Sequence, residues 1–353
     1  MSKSILLFFT LLLLTSCKKD TPNNPENDAA YYPGNDAAWE TQSRSSLGWN
    51  EAALEDLKTF LRQKNTRSFM ILVNGRIAVE EYFNGHTATT AWQWNSAGKT
   101  LVTATVGIAQ QEGLLRINNS AAQYLGAGWT SAPPEKESMI TPRHLLSMTS
   151  GLNDQYELVR PATLTYLADA GTRWSYHNVF QKLMDVVESA ANQKFETYFN
   201  TRLRNKIGME GFWANGVIFR VYHSNTRSMA RFGLLALHKG KWNNEQVVDE
   251  AFFKESIAPS QNINPSYGYL WWLNGRAKHM VPGSQATFGG ALVPNAPAGM
   301  YAAMGAEDQR LYVVPEKNMV VVRMGEVSDP ANPRFAVSGF DAALWEKINA
   351  VIR

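Results

Sequence analysis

Apolar positions along the chain form two blocks of strand period separated by a long helical block. Leu54, Leu57, Phe60 and Leu61 recur at helical spacing and predict a helix over Glu51–Leu61. Two strand-like runs follow, Ser68–Val73 and Ile77–Phe83. They are joined at Asn74-Gly75, a pair that suits the left-handed backbone of a tight hairpin turn. From Ser96 to about Leu270 the pattern is mostly helical, with long loops. Ala97–Gln111 is apolar on nearly all sides, as expected of a helix enclosed within a domain. Thr141-Pro142 opens a further helix, and Val179–Ala191, Glu196–Leu203 and Ser228–His238 are amphipathic. Strand character returns at Met300–Met304, Leu311–Val314 and Met319–Met324, the last two separated by the turn Pro315–Asn318. Phe340–Ile352 closes the chain as a helix. Strands at both ends with helices between them predict an α+β fold. An antiparallel sheet of about five strands is drawn from both ends and flanked by helices, with a large helical insertion and a cleft at the junction.

The chain has 353 residues and a formal charge of only +3, and its one basic doublet, Lys18-Lys19, is no footprint for nucleic acid. The start of the chain changes the picture more. Lys3 precedes the apolar run Ile5–Leu14, too short for an ordinary membrane-spanning helix but suited to a secretory signal. Leu14-Thr15-Ser16-Cys17 ends it and resembles the bacterial lipobox, in which the chain is cut before the cysteine and the thiol is lipidated. Cys17 is the single cysteine of the chain, so with its thiol lipidated no disulfide and no cysteine catalysis are expected. Residues 18–46 are polar and rich in Asn, Asp, Pro and Ala, the composition of a flexible tether. The expected organisation is a signal over residues 1–17, a tether over 18–46 and one domain over 47–353. Within that domain a sheet part takes 47–90 and 298–353, and a helical part takes 91–297. The expected setting is the cell envelope, with a lipid anchor in the membrane.

The candidate chemistry lies where a polar segment meets the buried helix, at Ser96-Ala97-Gly98-Lys99. A serine and a lysine three apart share one helix face, so the amine can reach the hydroxyl. The same spacing at Ser16 and Lys19 lies in the signal and tether and carries no meaning. At Ser96 it opens a largely apolar helix, and a lysine buried there loses affinity for its proton, as a general base requires. Gly98-Lys99-Thr100 imitates the end of a phosphate-binding loop, but Gln93 stands where that loop needs glycine. No G-x-S-x-G is present, and the six histidines form no metal-binding pattern. A third polar group has two candidates. Tyr198-Phe199-Asn200 sits in an amphipathic helix and reads as core. Tyr176-His177-Asn178 sits between a glycine-containing loop and a helix, and is preferred. Its tyrosine, beside a cationic lysine, is expected to have its ionised form stabilised and to relay protons. For the oxyanion, a strand ending Ala302-Ala303-Met304-Gly305-Ala306 is the candidate edge, with Phe288-Gly289-Gly290 a lower-ranked rival.

These three stretches in this order resemble the motifs of penicillin-recognising serine enzymes. Tyr176 in the second motif points to the class C beta-lactamase and esterase branch. Ile140–Leu152, Ile207-Gly208-Met209, Met229–Gly233 and Tyr267–Trp272 are also similar to that family. The resemblance implies the beta-lactamase/transpeptidase-like fold. It implies Ser96 as nucleophile, Lys99 with Tyr176 as general base and acid, and the N–H groups of Ser96 and Ala306 as oxyanion hole, with Gly305 letting substrate approach. Asn178 would orient the lysine or the substrate amide. It implies an ester, amide, lactam or peptide-like substrate and no metal or organic cofactor. Beta-lactamases proper begin the third motif with lysine or histidine. Ala303 stands there instead, as in relatives that cleave esters or amides, the aminohexanoate-oligomer hydrolases among them. The alternative is a catalytically silent member of the fold that binds cell-wall peptide or a protein partner. Trp92, Trp94, Trp174 and Trp271 are candidates for an apolar acyl pocket or for the core.

Overall fold

The computed structural model describes residues 30–35, 38–216, 218–331 and 339–352. Cys17 and the signal lie outside the described residues. The chain enters the sheet region through helix α1 (Glu51–Gln63), whose Asn50 side chain accepts hydrogen bonds from the N–H groups of Ala52 and Ala53. Strands β1 (Thr66–Val73) and β2 (Arg76–Tyr82) form the expected hairpin. Its turn holds Asn74 and Gly75 at φ of 49° and 83°, the left-handed region their residue types tolerate.

The described sheet has six strands rather than about five. After the long helical segment come β3 (Trp272–Leu273), β4 (Tyr301–Gly305), β5 (Gln309–Val314) and β6 (Met319–Gly325). The order is β2-β1-β6-β5-β4-β3, with every neighbouring pair antiparallel. The first and last parts of the chain meet where β1 pairs β6, Phe69 opposite Arg323 and Ile71 opposite Val321. The sixth strand is only two residues long and pairs Trp272 with Ala302, too short a run to show a period. Strands β5 and β6 are buried along their whole length, and apart from Gln309, Arg310 and Arg323 they read as apolar runs.

Helix α2 (Lys99–Gln111) runs through the interior, with Lys99 to Ala109 all buried. It is preceded by a 3-10 turn, Asn95–Gly98, so Ser96 lies in that turn and not in the α-helix itself. Helix α3 (Lys182–Ala191) follows a similar turn, Asn178–Gln181. Helix α4 (Thr226–Leu237) lies on the sheet at close range: a Cβ on Gly233 would come 2.4 Å from Val320 Cγ1. Helix α5 (Gly339–Ile352) packs with α1. No helix among the described residues is long and apolar enough to cross a membrane.

The expectation of a flexible tether over 18–46 needs correction from Ala30 onward. Trp39 is buried and its indole N–H donates to the Gly75 carbonyl. The Tyr31 N–H donates to the Asn74 carbonyl, and Thr41 forms a parallel bridge with Ile77. Arg231 of α4 donates to the carbonyls of Pro33 and Gly34 and lies over the Trp39 ring. A few anchors, Tyr31, Trp39 and the backbone at 40–42, dock a segment whose overall composition is polar.

Candidate active site

Ser96 is presented by a sharp bend. Asn95 takes φ of 49°, and its side-chain amide donates to the Ala306 carbonyl at 2.9 Å. On the other side, the Trp94 N–H donates to the Tyr222 carbonyl. The turn is therefore fastened to two separate elements, and Ser96 is held between them with 8% of its surface exposed.

The Lys99 ammonium or amine nitrogen lies 2.7 Å from Ser96 Oγ. Lys99 is 2% exposed, and burial pulls its pKa from 10.5 down to about 7. Nζ also lies 4.7, 4.4 and 5.3 Å from the ring centres of Tyr176, Phe180 and Phe219. Ring faces favour the ammonium by about 0.5–2 kcal/mol each. They oppose the effect of burial without cancelling it, which keeps both protonation states within reach near neutral pH.

Tyr176 lines the cleft beside Ser96, close enough for the serine to lower its pKa. Its ring stacks on Trp272 at 5.7 Å and meets the edge of Tyr267 at 6.1 Å. The expected stabilisation of its ionised form is overturned. Burial drives its pKa well above the ordinary tyrosine value, and the nearby Ser96 side chain and the charge of Arg310 offset this only in part. A lysine that gives up its proton near pH 7 supplies little positive charge to a neighbouring phenol. Tyr176 is thus a neutral O–H, able to donate to Ser96 or pass a proton on, while Lys99 is the group poised to accept one.

The other candidates are placed less uniformly. Asn178 lines the same cleft, but its amide donates to the Glu157 carbonyl, and no hydrogen bond to Lys99 appears among the described residues. His177 is buried, with Nε2 3.0 Å from the Tyr156 carbonyl, and burial lowers its pKa so that it stays neutral. Gly305 ends β4 directly against the serine turn: a Cβ there would sit 2.4 Å from the Trp94 oxygen and 3.0 Å from the Ser96 nitrogen. Ala306 follows, its carbonyl held by Asn95. The rival Phe288-Gly289-Gly290 is exposed on a separate two-stranded ladder. Tyr198 is buried in the core and bonded to Glu112. Ala303 is buried within β4 and does not face the cleft.

The cleft encloses about 230 Å³ and is lined by Ser96, Tyr156, Tyr176, Phe219, Pro282 and the loop carrying Asp154 and Glu157. Trp94, Trp174 and Trp271 are wholly buried and none of the four tryptophans named above lines it. Trp174 instead packs behind Tyr176 through Tyr267 and Trp272. Asp154 is tied to Arg173 and Ser175, which anchors the loop. Among the described residues no cluster of His, Cys, Asp and Glu could hold a metal ion.

The pairing of Arg310 with Asp341 has no counterpart in the expectations from sequence. Arg310 is the one charge in β5, which is the signal that could have found it; Asp341 shares its helix with Glu346 and Lys347 and carries no such signal. Arg310 Nε lies 2.6 Å from Asp341 Oδ1, and Nη2 lies 2.8 Å from Asp308 Oδ1. Burial pulls the Arg310 pKa down, but Asp341, Tyr312 and Asp308 outweigh it and the guanidinium is held charged.

Comparisons with known proteins agree with this architecture. The chain is 25% identical over 296 residues to an uncharacterized protein of Alkalihalophilus pseudofirmus, covering 72% of this chain and 82% of that one. A solved structure from Bacteroides dorei, assigned as a beta-lactamase, superposes with a TM-score of 0.69 at 15% identity, covering 85% of this chain and 98% of that one. One from Bacillus anthracis, assigned as a 6-aminohexanoate-dimer hydrolase, gives 0.67 at 18% identity, covering 91% and 89%. At such identities these likenesses speak to the fold. The Beta-lactamase family model matches residues 57–341, most of the chain, and the protein belongs to that family.

Proposed function

We propose that the protein is a serine hydrolase that cleaves an ester or amide through an acyl-enzyme on Ser96. Membership of the family supports the general class. The observation that carries the specific reading is the 2.7 Å contact between Ser96 Oγ and an amine whose pKa burial lowers to about 7. Lys99 takes the Ser96 proton as Oγ attacks the carbonyl carbon. The tetrahedral oxyanion is met by the N–H groups of Ser96 and Ala306. As the leaving group departs it takes the proton back from Lys99, through the Tyr176 hydroxyl. Water then adds to the acyl-enzyme by the same route in reverse and frees Ser96.

Substrate class follows from the lining. The cleft presents the carboxylates Asp154 and Glu157 and, among the described residues, no arginine or lysine in its wall. That supports neutral acyl groups over the carboxylate-bearing lactams that a basic third motif would hold. A volume near 230 Å³ lies below the roughly 300–1,000 Å³ of drug-sized ligand sites, which favours short acyl chains. The test is turnover of nitrophenyl esters of increasing chain length and of a chromogenic cephalosporin, with intact mass after a serine-reactive phosphonate. Short esters should exceed the cephalosporin by about 100-fold or more, the roughly 3 kcal/mol a missing charged contact commands. Absence of both turnover and a Ser96 adduct would leave a silent binding fold instead.

We further propose that Cys17 carries a lipid that holds the protein in the cell envelope. The support is the sequence at Leu14–Cys17. Cys17→Ala should move the protein from the membrane fraction to the soluble one, and a variant still sedimenting with membranes would count against the anchor.

A further inference from the structure

The N–H of Ala306 can serve an oxyanion only if its peptide is aimed at Ser96. That N–H and the Gly305 carbonyl belong to one peptide unit. The described chain has no cis peptide bond, so the two groups point in opposite directions. Arg310 Nη1 donates to the Gly305 carbonyl at 2.8 Å. The same guanidinium is gripped by Asp341 through Nε and Nη2 at 2.6 and 3.0 Å, and by Asp308 through Nη2 at 2.8 Å. Arg310 itself has no exposed surface, and Asp308 and Asp341 are 3% and 1% exposed. Tyr312 donates a further hydrogen bond to Asp341. One face of the peptide is thus fixed by a buried, rigidly held cation. The next carbonyl, that of Ala306, is fixed by the Asn95 amide from the serine turn. Directly after them the backbone is forced into the left-handed region at two successive non-glycine residues, Glu307 at φ 59° and Asp308 at φ 56°. Such strain persists only where surroundings over-determine it. Here Gln93 holds the Glu307 carboxylate, and Arg323 holds the carbonyls of both residues.

We infer that Arg310 is a positioning residue for oxyanion stabilisation: it locks the Gly305–Ala306 peptide so that the Ala306 N–H faces Ser96, and it polarises that peptide from behind. The inference rests on the serine-hydrolase reading of the site. A cation on the carbonyl oxygen withdraws electron density through the amide and makes the N–H a stronger donor. The orientation is fixed before substrate arrives, which is the condition under which such donors are most effective.

Arg310→Lys tests this, because an ammonium keeps the charge but lacks the planar fork that grips two carboxylates and a carbonyl together. In the folded variant kcat for a good ester should fall by about 10–100-fold, somewhat less than outright loss of a donor, with KM little changed. The preference for the oxo ester over its thiono counterpart should shrink, since sulfur is poorly served by an intact hole. The limb of the pH profile near 7, which belongs to Lys99, should stay in place. Independently of turnover, the amide proton of Ala306 in ¹⁵N-alanine-labelled protein should move upfield. Asp341→Asn, which loosens the grip without touching Gly305, should give smaller changes of the same sign and serves if Arg310→Lys does not fold. An unmoved Ala306 amide with an unchanged oxo-to-thiono ratio in a folded variant would overturn the inference. So would a loss of rate explained by displacement of the pH limb. If the unmodified protein neither turns over esters nor takes up the phosphonate, the hydrolase reading fails, while the amide resonance still decides whether Arg310 sets this peptide.

Discussion

Ser96→Ala lowers kcat/KM toward a good ester by about 10⁴-fold or more and abolishes labelling by a serine-reactive phosphonate, with the melting temperature kept within a few degrees. The size of the effect follows from the loss of the one atom that forms the covalent bond. Whatever rate survives belongs to the oxyanion donors and to binding, which act without the hydroxyl. Stability is spared for a structural reason. The turn that carries Ser96 is held through its neighbours, by the Asn95 amide and the Trp94 N–H, and not by the serine side chain. Steady-state kinetics beside a thermal melt measure both. A Ser96→Ala protein that keeps a tenth of its activity would remove Ser96 from the mechanism.

Lys99→Met gives the second large effect, and it runs in two directions. Activity falls by about 10²–10⁴-fold, the usual contribution of a positioned base, and the rise of kcat/KM with pH near 7 disappears. Stability increases. Lys99 is buried, and its pKa is 10.5 unfolded but about 7 folded. The unfolded chain therefore binds more protons between these values, and stability of the unmodified protein rises with pH across that window. The cost of burying the lysine is fully present below pH 7 and is relieved as pH climbs toward 10.5. A gap of that size corresponds to roughly 5 kcal/mol as an upper bound, reduced by the ring faces around Nζ. Methionine, of similar length and without charge, avoids this cost. Denaturant titrations at pH 6, 8 and 10 should show the Lys99→Met advantage greatest at pH 6 and smallest at pH 10. An advantage that grows with pH would mean that Lys99 is not the desolvated base described here.

What could be seen in the sequence was local. The i, i+3 spacing of Ser96 and Lys99, the apolar run that buries the lysine, and the Asn74-Gly75 hairpin are all contained within a turn or two of chain. The strands β5 and β6 announce themselves by the apolar runs Leu311–Val314 and Met319–Val322. What could not be seen was built by distant segments meeting. The cleft wall joins Asp154 and Glu157 to Phe219 and Pro282, which no periodicity connects. The grip of Asp341 on Arg310 crosses 31 positions, from the C-terminal helix to the sheet. Strand β3 is defined only by its partner. The ionisation of Tyr176 is not legible in the chain because burial of the phenol itself sets it, and that burial exists only in three dimensions.

The docking of residues 30–35 and 38–46 bears on the sheet as a whole. Strand β2 ends the strand order on its side, and a strand in that position offers unpaired N–H and carbonyl groups to any other extended chain. Ile77 instead gives its N–H to the Glu40 carbonyl and receives the Gln42 N–H on its own carbonyl. The protein's own leading segment thus covers, at the start of β2, groups that would recruit a second copy edge to edge. A chain trimmed to start at the first helix would keep every residue of the candidate active site. It would also carry an open apolar edge beside Ile77 and Val79, and solubility rather than catalysis would be the property it lost.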